Sequence, residues 1–119
     1  MEKVNQAMTL QEAQQMVNNW ISQFEEGYWS PLSNLARLME EVGELSRELN
    51  HRYGEKPKKP EERDRDLALE LGDVLWVIIC LANSLGIDLT HALRATLEKV
   101  TERDSNRYRR KAAEGEGES

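Results

Sequence analysis

Apolar and polar residues alternate with the 3.6-residue period of an α-helix in four successive segments of the chain. In the first segment, Thr9 and Glu12 have the spacing of a capping box, so a helix should begin at about residue 10. Gly27 is expected to end this helix. Trp20 and Phe24 are predicted to pack in the core, and stacking on a nucleotide base is the alternative. The apolar positions are Leu10, Ala13, Val17, Trp20, Ile21 and Phe24.

The second and third segments predict longer helices. The second covers residues 30 to about 50 and opens with Ser30 and Pro31, a good N-cap followed by proline at the first helical position. The third covers residues 64 to 85 and is charged at first. After Asp73 it is apolar on every side, which predicts a central position in a helical bundle.

The fourth segment begins after Gly86, which is expected to end the third helix. Asp88 is expected to cap a fourth helix that runs to about Arg109. The connection over residues 51–63 contains two prolines and a glycine, which exclude a continuous helix. It is predicted to be a solvated linker, and closure of its lysines over a triphosphate is the alternative. The fold class is therefore all-α, an antiparallel four-helix bundle.

Composition narrows the class of protein. The 119 residues suggest one domain over residues 9–110, with a flexible N-terminus at 1–8 and a disordered acidic tail at 111–119. The net charge is −6, from 22 acidic and 16 basic residues, which argues against general binding to nucleic acid. An amphipathic bundle of this size often completes its core against a second copy, so self-association is expected.

Cysteine usage and hydropathy indicate the compartment. Cys80 is the single cysteine and lies in an apolar run, so it is predicted to be a buried small hydrophobe. Without an internal disulfide, a reducing compartment fits best. The longest apolar run, residues 74–82, is far shorter than the roughly 20 residues that span a bilayer. We expect a soluble cytoplasmic protein without membrane contact.

Two acidic patterns carry the candidate chemistry. On a helix, residues three apart lie on nearly the same face, so Glu41 pairs with Glu44, and Glu70 pairs with Asp73. Glu41 is expected nearest the core. Glu40 should face away, where it would support the other carboxylates from outside or contact another subunit.

Four carboxylates brought together by helix packing would repel one another unless cations lay between them. An all-oxygen donor set favours Mg²⁺, with Mn²⁺ as a possible substitute. A di-iron centre is disfavoured, because neither His51 nor His91 stands three residues after a glutamate. The alternative is that these acids are only the polar faces of amphipathic helices. Two such patterns, the second of them beside an apolar segment, favour the metal site.

Lys99 and Arg103 lie one turn apart on the fourth helix, so both cations can face one anion. Their residue types alone favour a pair of solvated surface charges. Contacts to substrate phosphates are the alternative.

The acidic signature resembles that of a known family. Glu40-Glu41-x-x-Glu44, followed after 25 residues by Glu70-x-x-Asp73, is similar to the magnesium-binding signature of the MazG-like nucleoside triphosphate pyrophosphohydrolases of the all-α pyrophosphatase superfamily. The resemblance covers about residues 9 to 110. It implies hydrolysis of a nucleoside triphosphate between the α and β phosphates, in the cleansing of nucleotide pools. It also implies a four-helix core completed as a homodimer or homotetramer.

The resemblance also implies roles for individual residues. Lys99 and Arg103 match the family's phosphate-contacting pair, which reverses the preference for surface charges, and Asn83 matches a weaker substrate contact. The base pocket stays open, with Trp20, Phe24 and Trp29 as guesses. The residues that match the metal ligands are Glu41, Glu44, Glu70 and Asp73, with Glu41 or Glu44 as the catalytic base.

Two other functions are alternatives to this activity. One is an enzyme like phosphoribosyl-ATP pyrophosphohydrolase, which uses similar helices on a different substrate. The other is a helical regulatory protein that binds a nucleotide or a partner without turnover.

Overall fold

The structure is a computed structural model, and it describes residues 7–61 and 66–112. Within these ranges the secondary structure is entirely helical, which confirms the all-α prediction for the described part of the chain. Most of the predicted flexible N-terminus and acidic tail lies outside these ranges. The helices are α1 (Leu10–Ile21), α2 (Pro31–Tyr53), α3 (Leu67–Leu85) and α4 (Leu89–Asp104).

Helix α1 begins as predicted and ends earlier. The Glu12 backbone N–H donates to Thr9 Oγ1 at 3.0 Å, and the Thr9 backbone N–H donates to Glu12 Oε1 at 2.8 Å. The helix ends at Ile21, whereas the sequence predicted an end near Gly27. The N–H of Phe24 bonds to Ile21 O, three residues back, so the chain leaves the helix through tighter turns.

Helix α2 begins at Pro31, with Ser30 Oγ accepting from the Ser33 backbone N–H at 3.2 Å. It continues to Tyr53, about one turn beyond the predicted end. The C-terminal cap is Gly54, whose N–H donates to Asn50 O. The predicted start of the second helix is confirmed, and part of the predicted linker belongs to this helix.

Helix α3 has well-defined caps at both ends. Asp66 Oδ1 accepts from the Ala68 N–H at 2.8 Å. The predicted start near residue 64 falls on residues 62–65, which lie outside the described part of the chain. Gly86 ends the helix as predicted, with a φ of +70° in the left-handed region that favours glycine.

Helix α4 starts directly after Asp88 and ends at Asp104, about one turn before the predicted Arg109. An N–H···O bond from Arg107 to Asp104 O closes a turn there. By its internal contacts the chain divides into two units, residues 1–89 and residues 90–119. The first unit contains α1, α2 and α3, and the second contains nearly all of α4.

The buried apolar residues of the first unit are few, and besides Val77 and Ala82 one cluster of them forms where α1 packs on α3. Val17, Ile79 and Cys80 are its buried members, and Ala13, Ile21, Tyr28 and Leu89 pack against them. Cys80 is buried as predicted, and burial raises the pKa of its thiol above the ordinary value. Trp20 and Phe24 are each about half exposed, so the prediction that they belong to the core is wrong.

Polar side chains also tie α1 to α3. Gln14 Nε2 donates to Asn83 Oδ1 at 2.8 Å, and Asn83 Nδ2 donates to Gln14 O and to Tyr28 Oη, both at 2.9 Å. Gln14 Oε1 in turn accepts from the Leu89 N–H at 2.9 Å. These bonds fix α1 against the C-terminal end of α3.

A second polar cluster lies on α2. Glu48 is only 2% exposed, and its Oε2 accepts from Arg52 Nε at 2.8 Å and from Lys58 Nζ at 3.4 Å. Lys58 belongs to the segment after α2, so this pair holds the start of that segment against the helix. The hydrogen bond from Arg52, with Lys58, holds the pKa of Glu48 below the ordinary carboxyl value.

Much of the apolar surface of α2 and α3 is exposed in the single chain. In the described ranges, α3 is the one helix that is long and apolar enough to cross a membrane. The core helix of a soluble protein can have the same length and composition. The exposed apolar side chains on these two helices include Leu32, Leu35, Met39, Val42 and Leu49 of α2, and Leu69, Leu71, Leu75, Ile78 and Leu85 of α3.

Candidate functional site

Three acidic side chains from two packed helices converge in the first unit. One carboxylate oxygen from each of Glu41, Glu70 and Asp73 lies within 4.8 Å of the other two. Glu41 comes from α2, and the other two come from neighbouring turns of α3. Glu70 is 2% exposed, the Glu41 side chain is 14% exposed, and Asp73 faces solvent. The cluster is therefore anchored in the protein and open on one side.

The other predicted acids lie beside this cluster. Glu44 and Glu40 are exposed on α2, and neither belongs to the group of three that lies within 4.8 Å. Glu44 stands one helical turn after Glu41, on nearly the same face. The structure thus unites three of the four predicted ligands.

The donor set fits a hard divalent cation. All three groups present carboxylate oxygens, the ligands that Mg²⁺, Mn²⁺ and Ca²⁺ prefer, and three negative charges this close favour a cation between them. Among the described residues, the cluster consists of carboxylates alone. These residues could hold a metal ion.

Arg37 brings a positive charge to the same place. Its Nε donates to Glu41 Oε2 at 2.7 Å, across one turn of α2. The hydrogen bond to Glu41, together with the negative charges of Glu41, Glu40 and Asp73, raises the pKa of Arg37 above its ordinary value. The guanidinium therefore offsets part of the charge of the carboxylates.

An aromatic cavity of about 420 Å³ lies next to the carboxylate cluster. The Trp20 ring lies 4.9 Å from the Phe24 ring and 5.6 Å from the Trp76 ring, measured between centroids. Cavities lined by aromatic residues with a few polar groups are typical ligand sites. The lining residues are Trp20, Ile21, Phe24, Glu26, Gly27, Tyr28, Trp29, Asn34, Arg37, Trp76, Val77 and Cys80.

Two helical spacings connect the cavity to the carboxylates. Trp76 follows Asp73 by three residues on α3, and Arg37 precedes Glu41 by four residues on α2. The sequence predicts Trp20, Phe24 and Trp29 as candidates for the base pocket, and it does not single out Trp76 or Arg37. The same i, i+3 and i, i+4 spacing that paired the acids would have found both.

The remaining predicted contacts are Asn83, Lys99 and Arg103. Asn83 bonds to Gln14 and Tyr28 in the network between α1 and α3. Lys99 and Arg103 lie on α4 in the second unit, where Arg103 Nη2 pairs with Asp104 Oδ2 at 3.0 Å. Their expected contact with substrate phosphates stays a prediction.

Comparison with known proteins identifies the family. A model of the MazG nucleotide pyrophosphohydrolase domain matches residues 29–108. The chain belongs to the MazG nucleotide pyrophosphohydrolase family. The matched MazG region contains α2, α3 and α4 and therefore all three clustered carboxylates, whereas α1 precedes it. This confirms the family resemblance inferred from the acidic signature.

Two proteins of Bacillus subtilis strain 168 are similar to this MazG chain. YpjD is 53% identical over 103 residues, which cover 87% of this chain and 93% of YpjD. YvdC is 34% identical over 94 residues, which cover 71% of this chain and 89% of YvdC. The similarity spans most of each protein.

Two crystal structures are similar to the chain in fold. That of YpjD from Bacillus subtilis has a TM-score of 0.72 and 53% identity, covering 79% of this chain and 96% of that one. The crystal structure of the Bacillus-conserved MazG protein, a nucleotide pyrophosphohydrolase, has a TM-score of 0.70 and 50% identity. The match covers 83% of this chain and 96% of that chain. The protein is a metal-dependent hydrolase of pyrophosphate bonds, as its MazG family indicates.

Proposed function

We propose that the protein hydrolyses nucleoside triphosphates, ribo or deoxyribo, between the α and β phosphates to a monophosphate and pyrophosphate, with Mg²⁺ as cofactor. Its role would be to cleanse nucleotide pools. The observation that carries this proposal is a carboxylate cluster joined to an aromatic cavity. Such a pair of neighbouring sites suits a ligand with a planar base at one end and a polyphosphate at the other.

The carboxylates have the role of metal ligands. Glu41, Glu70 and Asp73 would hold the cation, with Glu44 one turn from Glu41 completing the set and Glu40 supporting it from outside. Mn²⁺ is a possible substitute, since carboxylate oxygens bind both ions. The bound cation supplies neutralisation of the polyphosphate charge.

In the hydrolysis step, a glutamate of this chain would accept one proton from the attacking water. Glu41 or Glu44 takes a proton from the attacking water, whose oxygen forms a new bond to the α phosphorus. The bond between the α phosphorus and the bridging oxygen breaks, and this oxygen leaves with pyrophosphate. Lys99 and Arg103 are proposed to bind the phosphates and to stabilise the charge of the leaving group.

The cavity has the role of base pocket. Trp20, Phe24 and Trp76 offer aromatic faces on which a base can stack, and all three are at least one-third exposed. Stacking on an aromatic side chain is typically worth about 1–3 kcal/mol per base. Asn83 is a weaker substrate contact, because its amide already bonds to Gln14 and Tyr28.

We also propose that the enzyme works as a homodimer or homotetramer in the cytoplasm, without nucleic acid or membrane partners. The first unit buries few apolar side chains and leaves an apolar face of α2 and α3 exposed. A second copy of the chain would cover such a face. The net charge of −6 disfavours an anionic polymer or membrane surface as the partner.

The test is a pyrophosphate-release assay over common and modified ribo- and deoxyribonucleoside triphosphates, with Mg²⁺, with Mn²⁺ and with chelator. Release of pyrophosphate and monophosphate with metal only is expected, and the substrate ranking would define the base pocket. Phosphoribosyl-ATP belongs in the panel as the rival substrate. If no nucleotide in the panel releases pyrophosphate, the result would contradict the proposal and favour a binding role without turnover.

A further inference from the structure

Arg37 belongs to both halves of the site. Its Nε donates to Glu41 Oε2 at 2.7 Å, and the same side chain lines the aromatic cavity. The guanidinium therefore lies where the carboxylate cluster and the cavity meet. A nucleotide with its base in the cavity and its outer phosphates at the cluster must place the phosphate nearest the sugar at this junction.

The free donors of Arg37 suit that phosphate. The side chain is 41% exposed, and the Nη1 and Nη2 groups make no hydrogen bond to the described residues. A guanidinium has five N–H donors in a planar fork and commonly binds phosphate through two parallel bonds. Nε holds Glu41 while the two Nη groups remain available to a ligand.

Arg37 also competes with a cation for Glu41. The Oε2 atom that accepts from Arg37 belongs to a carboxylate of the metal cluster. A metal ion and a guanidinium that share one carboxylate disfavour each other, by repulsion and by competition for the same oxygens. A phosphate that neutralises the guanidinium reduces this conflict.

We propose that Arg37 binds the substrate phosphate nearest the sugar and thereby couples nucleotide binding to metal binding at Glu41. The inference rests on the proposed function, because it assumes a nucleotide in the cavity. According to this proposal, Arg37 changes the affinities for metal and for nucleotide in opposite directions. The residue weakens metal binding in the free protein and strengthens nucleotide binding. A residue that only supports the fold would weaken both.

The experiment compares wild type with Arg37→Gln. The affinity for Mn²⁺, measured by EPR on the free protein, should rise about fivefold in the variant, because a positive charge is lost beside the metal ligands. The affinity for the five common nucleoside monophosphates, measured by calorimetry with chelator, should fall at least about tenfold for those that bind wild type. Nucleosides without phosphate should bind both proteins equally.

Arg52→Gln is the matched control. Arg52 pairs with Glu48 across the same i, i+4 spacing of α2, at 2.8 Å, and lies outside the cluster and the cavity. This variant should leave Mn²⁺ and monophosphate affinities unchanged. Arg37→Lys keeps the charge and loses the fork, so it should bind Mn²⁺ like wild type and bind monophosphates less tightly.

The outcomes separate the two proposals. Equal or weaker Mn²⁺ binding by folded Arg37→Gln would overturn the role of Arg37 and leave the metal site intact. Undiminished monophosphate binding would overturn it as well. If wild type binds no Mn²⁺, the proposed metal-dependent function itself fails.

Discussion

Glu48 on α2 and Glu70 on α3 are equally buried, each with 2% of its surface exposed, and they belong to different clusters of charged side chains. Glu48 lies against the cations Arg52 and Lys58. Glu70 lies beside the carboxylates of Glu41 and Asp73. The surroundings of Glu48 favour stability, whereas like charges gathered around Glu70 favour a bound cation.

Glu70→Gln should abolish activity without unfolding the protein. The amide keeps the shape of the side chain and removes one charge from the cluster. We expect Mg²⁺-dependent pyrophosphate release to fall at least about 100-fold, because metal-assisted hydrolysis depends on the ligand set. Circular dichroism should show unchanged helicity. Glu48→Gln, which removes an equally buried charge elsewhere, is the control and should retain turnover.

Glu48 predicts a dependence of stability on pH. The pKa of Glu48 is lowered in the folded protein, chiefly by Arg52, so its ion pair stabilises the fold fully above the ordinary carboxyl value of 4.5. This contribution is lost as the pH falls through the lower folded-state pKa. Glu48→Gln should have a lower Tm than wild type at pH 7, and the difference should narrow below pH 4.5. A constant difference over that range would contradict the prediction.

Trp76→Ala should weaken substrate binding. Its ring packs on Trp20 at 5.6 Å, so the truncation removes one stacking face and loosens another. We expect KM for the preferred nucleotide to rise roughly 10- to 100-fold, as the loss of base stacking implies. Tyr53→Ala, an exposed aromatic residue at the end of α2 that does not line the cavity, should leave KM unchanged. Rescue by Trp76→Phe would identify stacking as the cause.

Asn83→Leu should destabilise the first unit. The change removes the bonds to Gln14 and Tyr28 and places an apolar side chain against these partly buried polar groups. The free energy of unfolding should fall by about 2 kcal/mol. Urea denaturation gives this value, with Gln15→Leu as the control, because the Gln15 side chain bonds to nearby Asn19 on the exposed side of α1. Unchanged stability would point to a substrate contact instead.

Met39→Glu should lower the oligomeric state. Met39 is 67% exposed in the single chain and lies on the apolar face of α2. A charge buried in an interface between copies would be costly. Sedimentation velocity should show a smaller species than wild type, whereas Gln15→Glu should not change the assembly. Identical sedimentation would exclude this face of α2 from the interface.

Helix starts could be predicted from the sequence because their signals are local. Thr9 with Glu12 starts α1, and Ser30 starts α2, through hydrogen bonds within a few residues. Gly86, which ends α3, is an equally local signal. The ends of α1 and α4 were predicted too late. Apolar spacing continues past the end of α1 to Phe24, and the turns that stop both helices have no glycine or proline at the stop.

Side-chain surroundings were harder to predict than helices. The acidic spacing predicts that Glu70 and Asp73 share one face of α3, and the packing of α2 on α3 brings Glu41 to them. The exposure of Trp20 could not be predicted, since the apolar stripe of α1 does not tell which of its positions reach α3. Trp76 was missed because it lies in a segment that is apolar on every side, where no single face stands out.

The bond between Gln14 and Asn83 joins residues that are 69 positions apart in the chain. Helix α1 therefore cannot dock until α3 has been synthesised, although α1 precedes α3 in the chain. The cavity between Trp20 and Trp76 closes at the same late step, because it needs the same two helices. Long-range contacts of this kind slow folding. A nascent chain lacking α3 should accordingly present the apolar face of α1 to chaperones.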